Sequence, residues 1–482
     1  MTENTIAQLF DIVDGDSTVT NVLVKGNTKY ITITKNEPRD KLCPLCGSRL
    51  HSKGQFKRHP NDQILQDGYN VDLTVIGRRW KCSNPECSYS RTDQFDFIEK
   101  RKRNTNIIIF QILNAFKDIN LSCRQIAERY HVSDTFAHQT FMRYINLPRK
   151  KLTKYICIDE VYLNISPTCK YALVIMDFIT GDILDIIESR RKIYTQEYFL
   201  SIPLNERKQV EYLCCDMYDP YINYTYKYFP NARAVTDSFH VLQWILRLIK
   251  NYINTVKKRY QARDRKLLLE KNEKHKMDQM TIKDSREVYI LKKAQWVMLL
   301  NPKKWKYSEP HYNAKLGRIM DTISWENEFM KLDDRFKIIR DLKDLYEDFN
   351  EHFINDLKNA EKRLDELIDI YKDCNIPIFM EFGCLLTRYH DSIVNSFIYV
   401  KDKNIPEAAL RRLSNGPLES FNNFPSALRA QSHGISNFQF NRNRILWALR
   451  DDAPMRLIPR PDTGIHKLGK KRGSYKKTKK NR

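Results

Sequence analysis

Residues 154–189 contain three short apolar runs in close succession: KYICID (154–159), KYALVIMD (170–177) and DILDIIES (182–189). Runs of this length, rich in isoleucine, valine and leucine and separated by turn residues, predict β-strands. The pattern continues with a short helix around Gln196 to Ser201, a fourth strand at QVEYLCC (209–215), a second helix near Tyr221 to Tyr228 and a fifth strand at ARAVT (232–236).

This order of elements is typical of a ribonuclease-H-like α/β domain, in which the first and fourth strands are neighbours. Asp159 ends the first strand and Asp216 follows the fourth, so we expect both carboxylates to emerge side by side at one edge of the sheet. Such a pair can hold divalent cations. A role as plain strand caps is disfavoured, because both residues end apolar strands that must be buried. Glu160 is the main competitor of Asp159, but strand alternation points it to the opposite face.

A third carboxylate, Glu419, follows the turn Ser414-Asn415-Gly416-Pro417. Proline is favoured at the first position of a helix, so Glu419 is predicted in the first turn of a helix that packs on the sheet. There it can face the same metal ions as Asp159 and Asp216. A glutamate in the first turn also interacts favourably with the helix dipole. The position of Glu419 alone therefore does not distinguish a metal ligand from a residue that only stabilises the helix.

The chain is strongly basic, because 82 lysines and arginines stand against 59 aspartates and glutamates, giving a net charge of +23 and a pI near 9.4. This balance favours a polyanionic partner, and nucleic acid is the obvious candidate. The N-terminus MTENTIAQLF lacks the pattern of a signal peptide, and no apolar run reaches the ~18 residues of a membrane span. We therefore expect a cytoplasmic protein with no membrane partner.

Four of the 11 cysteines form two pairs, Cys43-Pro-Leu-Cys46-Gly and Cys82-Ser-Asn-Pro-Glu-Cys87. Two such pairs can complete a tetrahedral site for structural Zn²⁺, and the alternating stretch YNVDLTVIGRRWKC predicts a strand leading into the second pair. Together these features predict a zinc ribbon with an extended hairpin. Four unrelated buried thiols are the alternative, and one ligand can be replaced by His51 or His59. Nearby cations are expected to face DNA phosphates: Lys57, Arg58, Arg78 and Arg79.

Residues 101–151 have the pattern of a helix-turn-helix. NIIIFQILNAFKDI is apolar at helical spacing, and Ser122 and Ser133 are predicted N-caps of two further helices, separated by a break at His131-Val132. The last helix is expected to enter the major groove of DNA. An ordinary helical hairpin between two domains is the alternative. The predicted inner core is Ile126, Ala127 and Val132, and the predicted exposed, DNA-facing residues are Asp134, Thr135, His138, Gln139 and Arg143.

Asp216 and Glu419 lie far apart in the chain, so an inserted domain is implied between them. Residues 245–405 are predicted to be α-helical, including a long amphipathic run from Asp334 to Asp373. The predicted apolar stripe of this run is Ile338, Leu342, Leu345, Phe349, Phe353, Leu357, Leu364 and Leu367. Trp296 is expected in the core of this insertion rather than as a base-stacking wedge. The basic tail HKLGKKRGSYKKTKKNR is predicted to be disordered and to bind the DNA backbone.

These observations predict a multidomain α+β protein. An N-terminal zinc ribbon and a helix-turn-helix precede a ribonuclease-H-like catalytic core that is interrupted by an all-α insertion. The predicted boundaries are 1–100 for the zinc ribbon, 101–151 for the helix-turn-helix, 152–244 for the first part of the core, 245–405 for the insertion, 406–460 for the closing helices with Glu419, and 461–482 for the tail.

Several segments together resemble insertion-sequence transposases of the ISL-three family. They are IDEVYLN (158–164), CDMYDPYINYTYKYFPNARAVTDSFHV (215–241), YILKKAQWVMLLNP (289–302) and LRRLSNGPLESFNN (410–423), behind the CPLCG segment (43–47) and the helix-turn-helix. The resemblance spans nearly the whole chain, and it rests on the order and intervals of the segments rather than on any one of them.

This resemblance implies a DDE triad at Asp159, Asp216 and Glu419. Asp237, in the Asp237-Ser-Phe-His240 signature, is the competitor of Asp216. We prefer Asp216 because it ends the fourth strand, and we expect His240 to act near the scissile phosphate. The implied activity is cleavage at the terminal inverted repeats and joining of the 3′-OH to target DNA, with Mg²⁺ or Mn²⁺. The implied setting is a homodimer or higher assembly on nucleoid DNA.

Two other functions remain open at this point. One is a transposase-derived DNA-binding regulator without catalysis, against which the intact carboxylates argue. The other is a nuclease of the same fold, such as a junction resolvase, which the N-terminal DNA-reading segments make less fitting.

Overall fold

The computed structural model describes residues 15–38, 40–60, 70–98, 102–270, 284–431 and 437–455. The chain forms two compact units. The first unit takes the described parts of residues 1–148, 163–167 and 424–482, and the second takes residues 149–162 and 168–423. The basic tail at 461–482, for which we predict disorder, lies outside the described residues.

The strands of the described residues are β1 Ser17–Lys25, β2 Thr28–Lys35, β3 Leu50–Arg58, β4 Asn70–Cys82, β5 Ser90–Thr92, β6 Tyr155–Tyr162, β7 Tyr171–Asp177, β8 Ile183–Ile187, β9 Tyr212–Cys215, β10 Arg233–Thr236, β11 His311–Asn313, β12 Arg318–Met320, β13 Tyr399–Val400 and β14 Arg411–Arg412.

The α-helices are α1 Asn106–Ala115, α2 Cys123–Arg129, α3 Asp134–Tyr144, α4 Lys192–Ser201, α5 Leu204–Arg207, α6 Asp219–Tyr228, α7 Ser238–Glu270, α8 Arg286–Lys293, α9 Trp296–Leu299, α10 Thr322–Met330, α11 Phe336–His352, α12 Leu357–Asp373, α13 Pro377–Arg388, α14 His390–Val394, α15 Gly416–Gln431 and α16 Phe438–Leu449. Two short 3-10 helices lie at Pro302–Lys304 and Asn395–Phe397.

The sheet of the first unit has the strand order β1-β2-β4-β3, with β5 paired to β4. β4 is the alternating stretch predicted as a strand, and it ends at Cys82. Its residues Leu73 and Val75 are buried with Ile31 and Ile33 of β2. Alternation along β4 thus places one face of the strand on a core, and the paired strands β1 and β2 enlarge the sheet beyond the expected hairpin.

The helices α2 and α3 begin at the predicted caps. The Ser122 side chain accepts from the backbone N–H of Gln125, whose side chain bonds back to the backbone of Ser122. The Ser133 side chain accepts from the backbone of Phe136. Between the helices, His131 adopts a left-handed conformation with φ of 48°. The local sequence therefore sets both helix starts and the break between them.

Helix α16 packs against these N-terminal helices through buried polar contacts. The indole Nε1 of Trp447 donates to the carbonyl of Leu113 at 2.8 Å. Arg444 is buried and donates to the carbonyl of Leu121, and burial lowers the pKa of its guanidinium to about 10. The segment 406–460, expected to close the catalytic core as one piece, is therefore divided, because α16 belongs to the first unit.

The sheet of the second unit has the strand order β10-β9-β6-β7-β8. β6, β7 and β8 are successive antiparallel neighbours. On the other side of β6, β9 runs parallel to it, and β10 runs parallel to β9. The first and fourth strands of this series are adjacent, as the sequence predicts.

The two faces of this sheet carry different helices. Phe199 of α4 and Tyr228 of α6 share a buried cluster with Ile158 and Leu173 of the strands. On the opposite face, the Cys157 thiol donates to the carbonyl of Ser414, just before α15, at 3.4 Å. Alternation along β6 therefore sends neighbouring residues toward different helices.

The segment between β10 and α15 is mostly helical, but the expectation of an all-α insertion from residue 245 is wrong in two details. Helix α7 starts at Ser238, before the predicted boundary, and runs for 33 residues. β11 and β12 form an antiparallel hairpin within the segment. Ile245 and Ile249 of α7 enter one core with Phe336 and Leu364, and Trp296 packs against this core as predicted.

The amphipathic run from Asp334 to Asp373 forms two helices rather than one. α11 and α12 are separated at Asn355, whose φ is 57°. Leu342 and Leu364 of the predicted stripe are buried, whereas Ile338 is 49% exposed and its neighbour Ile339 takes the core position. The break shifts the helical phase, which a single period fitted through the whole run cannot capture.

Candidate active site

Parallel pairing of β6 with β9 sets the positions of the first two carboxylates. Cys157 and Cys214 are partners in the register, and Asp159 and Asp216 each lie two residues beyond them. Both aspartates line one cavity of about 900 Å³, which we call the carboxylate cavity. Burial, together with the charge of Asp216, raises the pKa of Asp159 to about 7. The charge of Asp216 therefore acts on Asp159 within the same cavity.

Glu419 joins them from the first turn of α15. The start of the helix is fixed by Asn415, whose carbonyl accepts from the backbone N–H of Glu419 at 2.9 Å. The Asn415 side-chain amide donates to Asp216 at 3.2 Å and to the carbonyl of Ile158 at 3.1 Å. These bonds tie the helix start directly to β6 and to the end of β9. Burial, and then the charge of Asp237, raise the pKa of Glu419.

His240 lies between two of the three carboxylates. Its Nε2 is 2.8 Å from Asp216 Oδ1 and 3.6 Å from Glu419 Oε1. The hydrogen bond to Asp216 raises the pKa of His240, against the opposing effect of burial. The imidazole therefore links Asp216 to Glu419, and the raised pKa favours its charged form.

Asp237, the competitor of Asp216, has a different environment. It is 2% exposed. One carboxylate oxygen accepts from the backbone N–H of Asn415 at 2.6 Å, and the other accepts from the backbone N–H of Phe239 at 2.8 Å. Both oxygens thus hold backbone groups at the start of α7 and before α15, which makes Asp237 a support of the site.

Glu160, the competitor of Asp159, also lines the carboxylate cavity, but it points toward α6. Its carboxylate accepts from the hydroxyl of Tyr221 and from the guanidinium of Arg190, both in short contacts. Asp159 on the other face accepts from the Asn422 amide of α15 at 2.7 Å. Strand alternation separates the two neighbours as expected, and Glu160 is occupied by protein partners.

Sequence reasoning missed Asn415 and Asn422, although a signal was present. Asn415 lies four positions before Glu419 and Asn422 lies three positions after it. This is close to the spacing of one helix face, so the side chains of Asn415 and Asn422 lie on the same side as Glu419 and reach Asp216 and Asp159. A search of the SNGPLESFNN segment for partners at these spacings would have found both residues.

The donors of the carboxylate cavity suit a hard divalent cation. Carboxylate oxygens are the ligands that Mg²⁺ prefers, and the buried side-chain oxygen of Asn415, beside Asp216, has no hydrogen-bond partner among the described residues. The trio is more open to solvent than the cysteine cluster, because the side chains of Asp216 and Glu419 are 31% and 42% exposed. Three carboxylates of this kind would be able to hold one or two such ions.

The four predicted zinc ligands do converge. In the described part of the chain, one group of potential metal ligands has all of its ligand atoms within 4.8 Å of one another, and it consists of Cys43, Cys46, Cys82 and Cys87. Two sulfur–sulfur distances are 3.8 Å and 3.4 Å. Zinc with sulfurs at about 2.3 Å in a tetrahedron needs about 3.8 Å between them, so the cluster fits Zn²⁺.

The histidines offered as alternative ligands lie outside this group. His59 Nδ1 is 3.1 Å from the hydroxyl of Thr74. The cations near the cluster differ from each other: Arg78 pairs with Glu37 at 3.4 Å, whereas Arg79 is exposed. Arg79 is therefore the more available of the two arginines for a phosphate contact.

Helix α3 presents fewer of the predicted DNA-facing residues than expected. Thr135 is exposed, but His138, Gln139 and Arg143 are half-buried. The ring of His138 stacks on Phe440 of α16 with centroids 4.4 Å apart. The expectation that all of these side chains are exposed is wrong, because α16 covers part of the face that the local sequence leaves open.

No helix in the described part of the chain is long and apolar enough to cross a membrane.

A family model described as a transposase, DDE_Tnp_ISL3, matches residues 156–445. The transposase for insertion sequence element IS1001 of Bordetella parapertussis is 23% identical over 204 residues, which cover 42% of this chain and 49% of that protein. The chain thus matches about half of the length of this curated relative.

Proposed function

Because this chain belongs to the DDE_Tnp_ISL3 family of transposases, we propose that it cuts DNA at the terminal inverted repeats of an insertion sequence and joins the freed 3′-OH to target DNA. The observation that carries the proposal is the gathering of three carboxylates from distant segments of the matched region: Asp159 and Asp216 line one cavity, and Glu419 lies 3.6 Å from His240 Nε2 of the same lining. The strand order β10-β9-β6-β7-β8 supports a ribonuclease-H-like core for this chemistry.

Asp159, Asp216 and Glu419 are the residues that would hold Mg²⁺ or Mn²⁺. When bound, such ions activate water and stabilise charge on the attacking and leaving oxygens of the phosphodiester. His240 holds Asp216 and reaches toward Glu419, so it orients two of the ligands and brings a positive charge near the scissile phosphate. Asn422 fixes one oxygen of Asp159.

The first unit is assigned to end recognition. Its cysteine cluster would hold structural Zn²⁺ in a zinc ribbon, and α2 with α3 would act as a helix-turn-helix. Thr135 and Arg79 are the best-exposed candidates for DNA contacts, and the remaining candidates are His138, Gln139, Arg143 and Arg78. The net charge of +23 supports binding to nucleoid DNA. We assign the active form to a homodimer or higher assembly on paired ends.

The test is incubation of the purified chain with duplexes that carry the element's terminal repeats, in Mg²⁺, with Asp216→Asn as the inactive comparison. We expect nicking at the repeat boundary by the wild type and loss of about 10³-fold or more in the variant, with repeat binding retained. Repeat binding without cleavage under any divalent metal would favour a DNA-binding regulator. Cleavage of branched DNA irrespective of the repeats would favour a resolvase.

A further inference from the structure

A second cavity, of about 450 Å³, lies beside the carboxylate cavity. It is formed where the segment after β8 enters α4 and meets α6, and we call it the tyrosine cavity. Its lining includes four cationic side chains, Arg190, Arg191, Lys192 and Lys227, and the tyrosines Tyr224 and Tyr228.

The lining of the tyrosine cavity is positively charged. Four of its side chains are cations, and among the described residues that line it there is no carboxylate. Arg191, Lys192 and Lys227 are exposed to solvent. The N-terminus of α4 lies here as well, and the N-cap residue Arg191 makes no side-chain capping bond to it, while the first turn contains no acidic residue. Cations and an open helix N-terminus together favour an anion.

The wall of the tyrosine cavity is fixed by buried aromatic residues. The Tyr224 hydroxyl accepts from Thr195 at 3.0 Å and bonds to the carbonyl of Arg190 at 3.4 Å. Tyr228 is fully buried, and its hydroxyl has no hydrogen-bond partner in the described part of the chain. The cavity thus combines a buried aromatic wall, a buried tyrosine hydroxyl without a hydrogen-bond partner among the described residues, and solvent-exposed cations.

Two residues, Arg190 and Tyr218, line both cavities. Arg190 is anchored by Glu160 and lies 4.8 Å from the ring centroid of Tyr171. Its guanidinium therefore stands at the boundary between the carboxylates and the cations of the tyrosine cavity. A DNA backbone whose phosphates pass the carboxylates would next reach the cations of the tyrosine cavity.

We propose that the tyrosine cavity is a second DNA-backbone subsite, which holds phosphates adjacent to the reacting phosphodiester. The inference rests on the proposed function, since it assumes that the reacting phosphodiester lies at Asp159 and Asp216. Two DNA sources share this chemistry: the DNA that flanks the element end, and the target DNA. The phosphate contacts need no base recognition, so the subsite is independent of sequence.

The test compares two triple variants with equal loss of charge. One carries Arg191→Gln, Lys192→Gln and Lys227→Gln, and the control carries three exposed lysines of α12 changed to glutamine, Lys358, Lys362 and Lys372. Three substrates are used: an element end with flanking DNA, an end that stops at the cleavage site, and a pre-cut end offered with a plasmid target. Thermal melting checks that both variants are folded.

We expect the cavity variant, and not the control, to weaken binding or joining about tenfold or more near physiological salt. The slope of log affinity against log salt should fall by about 0.9 for each lost phosphate contact, and thus by about 2 to 3. Loss confined to the flanked end identifies the flanking DNA, and loss confined to plasmid joining identifies the target. Equal behaviour of both variants on all substrates overturns the proposal.

Failure of the proposed function looks different. In that case the wild type neither cuts nor joins any substrate, although the cavity variant still binds DNA less tightly than the control does. If the wild type cuts and joins normally and the cavity variant matches the control, then the function stands and the subsite is refuted.

Discussion

The cysteine cluster and the carboxylate trio both bring together side chains that can bind metal ions, but they differ in the sequence separation of those side chains and in their exposure to solvent. The cysteines come from two local pairs on one sheet, and their sulfur atoms all lie within 4.8 Å of one another. The carboxylates come from three distant segments, and the side chains of Asp216 and Glu419 remain 31% and 42% exposed beside a cavity. A closed set of soft ligands suits structure, whereas an open set of hard ligands leaves room for substrate.

The largest expected effect follows from chelating the zinc that we propose for the cysteine cluster. A strong zinc chelator should melt the sheet β1–β5, because uncompensated thiolates repel and the zinc contributes directly to folding. We expect the melting temperature of the first unit to fall by on the order of 10 °C or more, with loss of repeat binding. Circular dichroism and zinc content measure this.

The control experiment withdraws Mg²⁺ alone, which acts at the carboxylate trio. This should stop cleavage without melting either unit. The variant Cys87→Ser should reproduce the effect of the zinc chelator. A zinc-free first unit that melts at its normal temperature would show that the cluster is four unligated thiols.

Neighbouring carboxylates on β6 sharpen the comparison within the open site. Asp159→Asn should lower the cleavage rate by about 10³-fold, or about 4 kcal/mol, because it removes a proposed metal ligand. Glu160→Gln should keep most of the activity, because Glu160 is held by Tyr221 and Arg190. Single-turnover cleavage of an element end measures both, and a larger loss in Glu160→Gln would reverse the assignment.

Variants of the two aspartates that follow β9 and β10, Asp216 and Asp237, should affect different properties: one the cleavage rate and the other the stability. Asp237→Asn should lower the free energy of unfolding by about 2 kcal/mol, because its carboxylate accepts two buried backbone N–H groups and an amide cannot accept both equally well. Asp216→Asn should leave the stability nearly unchanged while abolishing cleavage. Urea denaturation of both variants checks this, and comparable stability with inactivity of both would reopen the choice.

The asparagines of α15 test a smaller effect. Asn422→Ala should reduce cleavage by about 10- to 100-fold, the usual range for a residue that orients a metal ligand. Asn423→Ala is the matched control, since Asn423 is exposed and its side-chain amide donates to the nearby carbonyl of Ser420. Equal rates for the two variants would mean that the bond to Asp159 does not matter for the reaction.

The smallest expected effect is a pH dependence of metal stabilisation. The pKa of Asp159 is raised to about 7 from 3.8, so without metal its contribution to stability is lost as the pH rises from about 4 toward 7. A divalent cation needs the ionised form. We expect Mg²⁺ to raise the melting temperature by a few degrees more near pH 8 than near pH 6.

The variant Asp159→Asn should lose this pH dependence. If Mg²⁺ stabilises the wild type equally at both pH values, Asp159 does not exchange its proton for the metal.

The sequence predicted the sheet of the second unit well because each strand is a compact apolar run next to turn residues. β7 and β10 begin and end within a residue or two of the predicted bounds. The same local logic located Ser122 and Ser133 as helix caps, since a cap depends on the next three residues.

Other features depended on residues far away in the chain. The burial of His138 comes from Phe440, and the division of segment 406–460 comes from the contacts of Trp447 with Leu113. No local pattern in α3 contains the information that α16 will cover it. The break at Asn355 was not predicted, because a single helical period was assumed for residues 334–373, whereas the helical phase changes at the break.

The sequence by itself determined the zinc-type cysteine pairs, the strand series and the excess of positive charge, because each depends on nearest neighbours or on composition. Only the tertiary structure decided which carboxylates remain accessible from a cavity and which have their oxygens occupied by hydrogen bonds to protein groups. Asp216 and Asp237 follow similar strands, and Asp159 and Glu160 are adjacent, yet hydrogen bonds from distant residues give them different environments. Those bonds exist only when the chain has folded, and they mark Asp237 and Glu160 as supports of the site.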